Sequence, residues 1–127
     1  MGVRKQYHFW PGSSGLDAWD VARLIDLSRG LPVEEVSVDD IDEVDSVYWF
    51  DDRSELPTVR KVVDHARLIQ AVDLAHPIIL GPDGRVMDGM HRIARALLDG
   101  RHTVDAVRFP VLPDADHRNV RPEDLPY

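Results

Sequence analysis

Five consecutive residues, Asp88-Gly89-Met90-His91-Arg92, put an acid, a glycine corner, an imidazole and a guanidinium where a strand pattern gives way to a helix pattern. The first four N–H groups of an α-helix have no internal partner, and the helix dipole adds about half a positive charge at that end. Such a corner attracts anions, phosphate above all. Gly89 permits close backbone approach and, where needed, a positive φ. Arg92 lies in the first turn and adds charge, with Arg95 as a further contributor. His91 can donate to a phosphate oxygen or shuttle a proton near neutral pH. Asp88 can accept a proton from a hydroxyl or hold Mg²⁺ through water. The candidate catalytic residues are therefore Asp88, His91 and Arg92, and the candidate phosphate contacts are Gly89, Met90, His91, Arg92 and Arg95. A glycine between strand and helix is also common for geometric reasons alone. What distinguishes this corner is the coincidence of three polar side chains, each costly if buried unpaired.

The elements around the corner follow from punctuation and period. His76 to Leu80 is a brief apolar run, Gly81-Pro82-Asp83-Gly84 a turn, and Arg85 to Asp88 a second strand, which together predict a hairpin. Arg92 to Asp99 predicts a helix with Ile93, Ala96 and Leu97 on one face and Gly100 as its stop. Thr103 to Phe109 alternates as a strand, and Val33 to Val38 forms another that runs into a turn at Asp39-Asp40-Ile41. Leu16 to Arg29, between the cap Ser14 and Gly30, reads as a helix. Pro57-Thr58 starts a further helix whose Val59, Val62, Val63, Ala66, Ile69 and Ala71/Val72 approximate one apolar stripe. Pro110 to Tyr127, without helical period, reads as an extended tail lying on the domain. Interleaved helices and strands predict a mixed α/β domain of the α+β type, with a small mixed sheet and flanking helices.

Charge is unevenly spread. The chain has 127 residues and a formal net charge of -8, yet Glu34 to Asp52 holds nine acidic residues (Glu34, Glu35, Asp39, Asp40, Asp42, Glu43, Asp45, Asp51, Asp52) and no Lys or Arg. The corner sits in a locally basic stretch, with Arg85, Arg92, Arg95 and Arg101 against Asp88 and Asp99. The length suits one domain. The acidic balance disfavours nonspecific nucleic-acid binding, where each phosphate contact needs a cation. The absence of cysteine excludes disulfide scaffolds, thiolate metal sites and cysteine nucleophiles. The N-terminus has no apolar stretch of the roughly 7–15 residues a signal peptide needs, and no segment approaches the ~18 of a membrane span, so a cytoplasmic location and no membrane partner are expected.

Other chemistry-bearing residues are weaker candidates. The acidic run reads first as a solvated face and second as a metal or base site. His65 reads as a core or boundary histidine near the apolar stripe. His8, His76, His102 and His117 lack metal-ligand spacing, and no zinc site is expected. Tyr48, Trp49 and Phe50 read as core or pocket wall, because no basic residues flank them as a nucleic-acid platform requires. Trp10 and Trp19 read as core, with Trp10 able to line a pocket.

The run Pro77 to Ala96, centred on Asp88-Gly89-Met90-His91-Arg92, resembles the core motif of the ParB/sulfiredoxin superfamily: a strand hairpin, a Gly-x-His/Arg-Arg corner and a helix. Val36 to Ile41 is similar to the strand and turn that open ParB-type domains. The resemblance covers about residues 33–109, leaving 1–32 as an N-terminal helix extension and 110–127 as a Pro-rich tail. It is nearest to the short stand-alone proteins labelled as chromosome-partitioning or ParB-like nuclease domains. The resemblance implies a nucleotide whose phosphates rest on the corner, since ParB partition proteins use CTP, sulfiredoxin ATP and a free-serine kinase of this fold ADP, with Mg²⁺ accompanying the nucleotide. Gly89, Met90, His91 and Arg92 would contact phosphate, and Asp88 matches an acidic residue of the kinase branch. Met90 stands where sulfiredoxin has its reactive cysteine, which excludes sulfinic-acid reduction. No helix-turn-helix segment follows, so operator binding is not expected. Glu43 and Asp45 are the candidates for the upstream base of the kinase branch. The expected activity is nucleotide-dependent phosphoryl transfer or hydrolysis, the alternative is a non-catalytic nucleotide- or anion-binding regulatory module, and a nuclease comes third.

Overall fold

The computed structural model describes residues 5–50 and 55–127. Among the described residues, three α-helices and two sheets make an α+β fold. The larger sheet contains β3 (Glu34–Ser37), β4 (Ile78–Leu80), β5 (Val86–Asp88) and β6 (Thr103–Arg108) in the spatial order β3-β6-β4-β5. The β4–β5 hairpin is antiparallel, as Gly81 to Gly84 predicts, with Gly84 N–H on the Gly81 carbonyl at 3.0 Å and Gly84 at φ 87°. β6 lies parallel to β4, which requires a crossover, and α3 (Met90–Leu98) provides it. β3 closes the other edge antiparallel to β6.

β4, inside this sheet, is buried on both faces, which explains the uninterrupted apolar run Ile78-Ile79-Leu80. Ile78, Leu80, Val86, Val104 and Ala106 pack under Met90, Ile93 and Ala96 of α3. Ile79, Met87 and Val107 face the opposite way, against Trp19, Leu24 and Phe109. The inward line of α3 is Met90, Ile93 and Ala96, whereas Leu97, expected on that face, is 46% exposed. Met90 takes its place because the helix begins two residues earlier than its apolar period suggests.

The smaller sheet corrects two expectations. Residues 16–29 do not form one helix, so residues 1–32 are not a helical extension. Leu16–Asp20 is strand β2, paired antiparallel with β1 (Tyr7–Pro11), and α1 covers only Val21–Ser28. The cap of α1 is Asp20, whose carboxylate accepts from Ala22 N–H at 2.9 Å, and not Ser14. Residues 12–15 instead form the hairpin turn between β1 and β2, closed by Gly12 N–H on the Gly15 carbonyl at 2.7 Å. The tail does not merely lie on the domain: His117–Val120 is β7, the third strand of this sheet, antiparallel to β2. Asn119, at φ 54°, accepts from Ser14 N–H at 2.9 Å and so ties the tail to the turn.

Helix α2 (Val59–Ala71) starts where Thr58 predicts, with the Thr58 hydroxyl accepting from Lys61 N–H at 3.2 Å. The valines of its apolar stripe are not on the buried face, though Ile69 of the stripe is half-buried. Val59, Val62 and Val63 are 82%, 49% and 41% exposed, and the half-buried line is Lys61, His65 and Ile69. The helix is rotated because polar contacts from α3, His91 to His65 and Arg95 to the Gln70 carbonyl, determine how it docks. Among the described residues no helix is long and apolar enough to cross a membrane.

The two helices should therefore answer truncation differently. Ile93→Ala, in the wholly buried line of α3, is expected to cost about 2–5 kcal/mol in chemical denaturation. Val63→Ala, in the exposed stripe of α2, should stay within about 0.5 kcal/mol. Equal losses would show that the stripe is covered in solution.

Candidate functional site

The corner is set by a glycine in a conformation that side chains resist. Gly89 has φ 109° and ψ 21°, and a Cβ there would stand 2.7 Å from Ile78 Cγ2 and 3.2 Å from an Arg92 guanidinium nitrogen. Arg92 and Ile93 N–H both turn back to the Gly89 carbonyl, at 3.0 and 3.1 Å. No side chain among the described residues caps the helix, so the Met90 and His91 N–H groups are its free first-turn donors.

Each predicted residue has a definite placement. Arg92 donates to Asp88 Oδ2 at 2.7 Å, to the Pro77 carbonyl at 2.7 Å and to the His76 carbonyl at 3.1 Å. The guanidinium thus joins the start of β4, the end of β5 and α3, and it is only 16% exposed. Asp88 is committed to that bond. Met90 turns its side chain into the core, leaving only its backbone at the corner. Arg95 does not belong to the corner: it donates to Asp99 at 3.0 Å and to the Gln70 carbonyl at 2.7 Å, bracing the end of α2. Glu43 lies at the opposite end of β5 from Asp88, where its carboxylate accepts from Val86 N–H at 2.6 Å. It lines a separate groove of about 330 Å³ with Glu34, Glu35, Asp40 and Asp42, facing Arg85 and Arg108. Asp51 and Asp52 fall outside the described residues. Among the described residues no group of three or more His, Asp or Glu could hold a metal ion.

His91 is where the structure adds most. Its Nε2 lies 2.8 Å from Nδ1 of His65, a hydrogen bond between two imidazoles of which one must donate and the other accept. Trp49 lies over both rings, with centroids 4.4 Å from His65 and 4.6 Å from His91 and ring planes within 21° and 16°. Phe50 meets the edge of His65 at 5.4 Å. Burial, then the neighbouring His65, lowers the His91 pKa to about 4, so the ring is neutral at pH 7. Burial also lowers His65, against the pull of Asp64 and Glu55.

The corner and this aromatic plate share one cleft of about 670 Å³, whose walls include Lys5, Tyr7, Trp49, Gly89, His91 and Tyr127. Tyr7 and Tyr127 meet edge to face at 5.4 Å on its rim. Behind the Asp88–Arg92 pair lies a second cavity of about 600 Å³, lined chiefly by Ile25, Leu31, Val33, Val72 and Ile79. The ion pair is a wall common to both.

Sequence reasoning missed the His65–His91 pair, since 26 residues separate its members and no motif links them. It also passed over His8, which is buried between Trp10 and Trp19, at centroid distances of 4.9 and 6.0 Å, with Nε2 unpartnered. Desolvation, then the Arg85 charge, holds the His8 pKa at about 4. Compared with known protein families, curated proteins and solved structures, the chain finds no match.

Two outcomes follow. Arg92→Lys keeps the charge but loses the planar fork, and it should lower stability by about 1–3 kcal/mol, because at least one of the partner groups is left unsatisfied. A melting temperature unchanged from wild type would show the bracing to be redundant. For acid stability, His8 and His91 have folded pKa values of about 4, below the ordinary 6.5, so the unfolded chain takes up their protons first. Stability should be intact above about pH 6.5, fall between 6.5 and 4, and level off for these groups below that. His8→Phe should flatten the fall, read from melting curves across the range, and an equally steep fall in this variant would remove His8 from the account.

Proposed function

We propose that the cleft binds a nucleotide, or another phosphate-bearing small molecule, in the manner the ParB/sulfiredoxin resemblance implies. The observation that carries this reading is the opening of α3 onto the cleft: Gly89 in the left-handed region, two free N–H groups at Met90 and His91, and no side-chain cap. Anionic oxygens would meet those donors and the positive end of the dipole. Trp49, Tyr7 and Tyr127 line the cleft and would supply aromatic wall to a base. Arg92 serves the site from behind. Three of its five N–H donors are engaged by the His76 and Pro77 carbonyls and Asp88, so it chiefly holds the corner in shape and adds its field, and phosphate contact would be carried first by the backbone and His91. Mg²⁺ would arrive with ATP, ADP or CTP and keep mostly phosphate and water ligands. Asp88 is the one carboxylate among the described residues lining the cleft that could reach it.

Binding without chemistry, as in a nucleotide-responsive regulatory module of the chromosome-partitioning kind, needs nothing further. Phosphoryl transfer or hydrolysis is the second reading, and the neutral imidazole of His91 favours it. In the tautomer with Nδ1 unprotonated, opposite to the one that donates from Nδ1 to phosphate, a neutral ring can take a proton from an acceptor hydroxyl or water, and positioning plus charge neutralisation supplies most of the rest.

A melting panel with ATP, ADP and CTP, each with and without Mg²⁺, tests the proposal. A nucleotide at 100 times its Kd should add about 2.7 kcal/mol of stability. No shift with any of them would sink the nucleotide reading. Phosphate release by the wild type that disappears in His91→Ala at saturating nucleotide would select the catalytic reading over the binding module.

A further inference from the structure

The His65–His91 contact admits two geometries, a shared metal ion or a shared proton, and the rings decide between them. Their planes lie within 19° of each other and their centroids are 5.1 Å apart. That separation is the 2.8 Å nitrogen–nitrogen distance plus roughly one ring radius on each side, so the two nitrogens point straight at each other. Chelation would need the lone pairs to converge on a third point, which would bring the centroids closer. The pair is therefore an in-line N–H···N bond, and Trp49 covers both rings as a plate covers a seam.

This has a consequence for any anion in the cleft. Nε2 of His91 is taken by His65, and Nδ1 of His91 has no hydrogen-bond partner among the described residues. Nδ1 is the nitrogen left for a ligand. An anionic oxygen accepts and never donates, so Nδ1 must carry the proton when phosphate is bound. A neutral ring holds one proton, so Nε2 must then accept, and Nδ1–H of His65 must be the donor. Other charged groups near the pair do not oppose this arrangement. Asp64 and Glu55 favour protons on His65, and Asp88 is already satisfied by Arg92.

We propose that His65 is the positioning residue of the cleft: by donating from Nδ1 to Nε2 of His91 it fixes the His91 tautomer whose Nδ1–H faces the ligand's phosphate. This rests on the nucleotide-binding reading above and adds to it the atom that recognises the anion.

The test uses the full chain, ATP, and two variants. His65→Asn keeps an amide N–H close to where Nδ1 stood, whereas His65→Leu has no donor. With ATP bound, nitrogen-15 spectra of the wild type should show His91 protonated on Nδ1 with Nε2 as acceptor. His65→Asn should retain that tautomer and bind ATP within about threefold of wild type. His65→Leu should lose the tautomer and bind roughly tenfold more weakly, the measure of about one hydrogen bond. Melting curves without ligand confirm that both variants fold. If the wild type binds ATP but His91 carries its proton on Nε2, or if the Asn and Leu variants bind ATP equally well, this inference falls while nucleotide binding stands. If the wild type binds no nucleotide, the reading beneath it falls and takes this one with it.

Discussion

The site depends on one buried guanidinium. Arg92 reaches back from the first turn of α3 to the carbonyls of His76 and Pro77 and to the carboxylate of Asp88, so a single side chain ties the start of β4, the end of β5 and the helix between them. Without it Asp88 would be a largely buried carboxylate lacking its counter-charge, and two carbonyls beside the start of β4 would lose a donor. Gly89 can hold its left-handed turn against Ile78 because this bracing fixes the chain on both sides. The same commitment defines what the site can do. With three of its five donors spent in this way, the guanidinium would shape the proposed anion site more than bind the anion, and recognition would pass first to the backbone N–H groups and to His91.

The second constraint is the docking of α2. Its apolar stripe would suit a core, yet the helix presents Lys61, His65 and Ile69 inward and leaves three valines in water. Two polar contacts hold this rotation, the imidazole pair and the Arg95 bond to the Gln70 carbonyl. Burying the valines instead would have gained hydrophobic energy. The observed rotation is what carries His65 to His91, so the helix gives up apolar burial where it positions a side chain for the cleft. The His91 imidazole is neutral at pH 7 because burial, under the Trp49 plate, removes water from it, and burial lowers the His65 pKa as well.

The sequence shows local features well and distant ones poorly. The β4–β5 hairpin, the glycine corner and α3 are legible because turn residues, an apolar run and a glycine act over a few positions. β1 and β2 were not legible. Leu16-Asp17-Ala18-Trp19-Asp20 has enough helical character to merge with α1, and only pairing with Tyr7–Pro11 and with a strand about a hundred residues later makes it extended. The α2 face was misread for a related reason: an apolar period shows which side of a helix could be buried, while the partner decides which side is. Within the site, Asp88 to Arg92 could be named as a unit, but which donors were free could not. Arg95 read as a further phosphate contact beside Arg92, and only the third dimension sends it to Gln70.

The uneven charge of the chain takes on a physical sense here. The acidic residues from Glu34 to Asp45 sit with β3 and the short turns after it, where Glu43 secures the far end of β5 and Glu34 pairs with Arg108 at 3.3 Å. The corner lies at the other end of that three-residue strand, so these seven of the chain's 23 acidic residues stand at the opposite end of β5 from the Met90 and His91 N–H groups. What remains at the corner is local: a helix dipole, a braced guanidinium and an imidazole whose proton His65 can direct. A phosphate oxygen at the Met90 and His91 N–H groups would respond to those three before it responded to the charge of the whole chain.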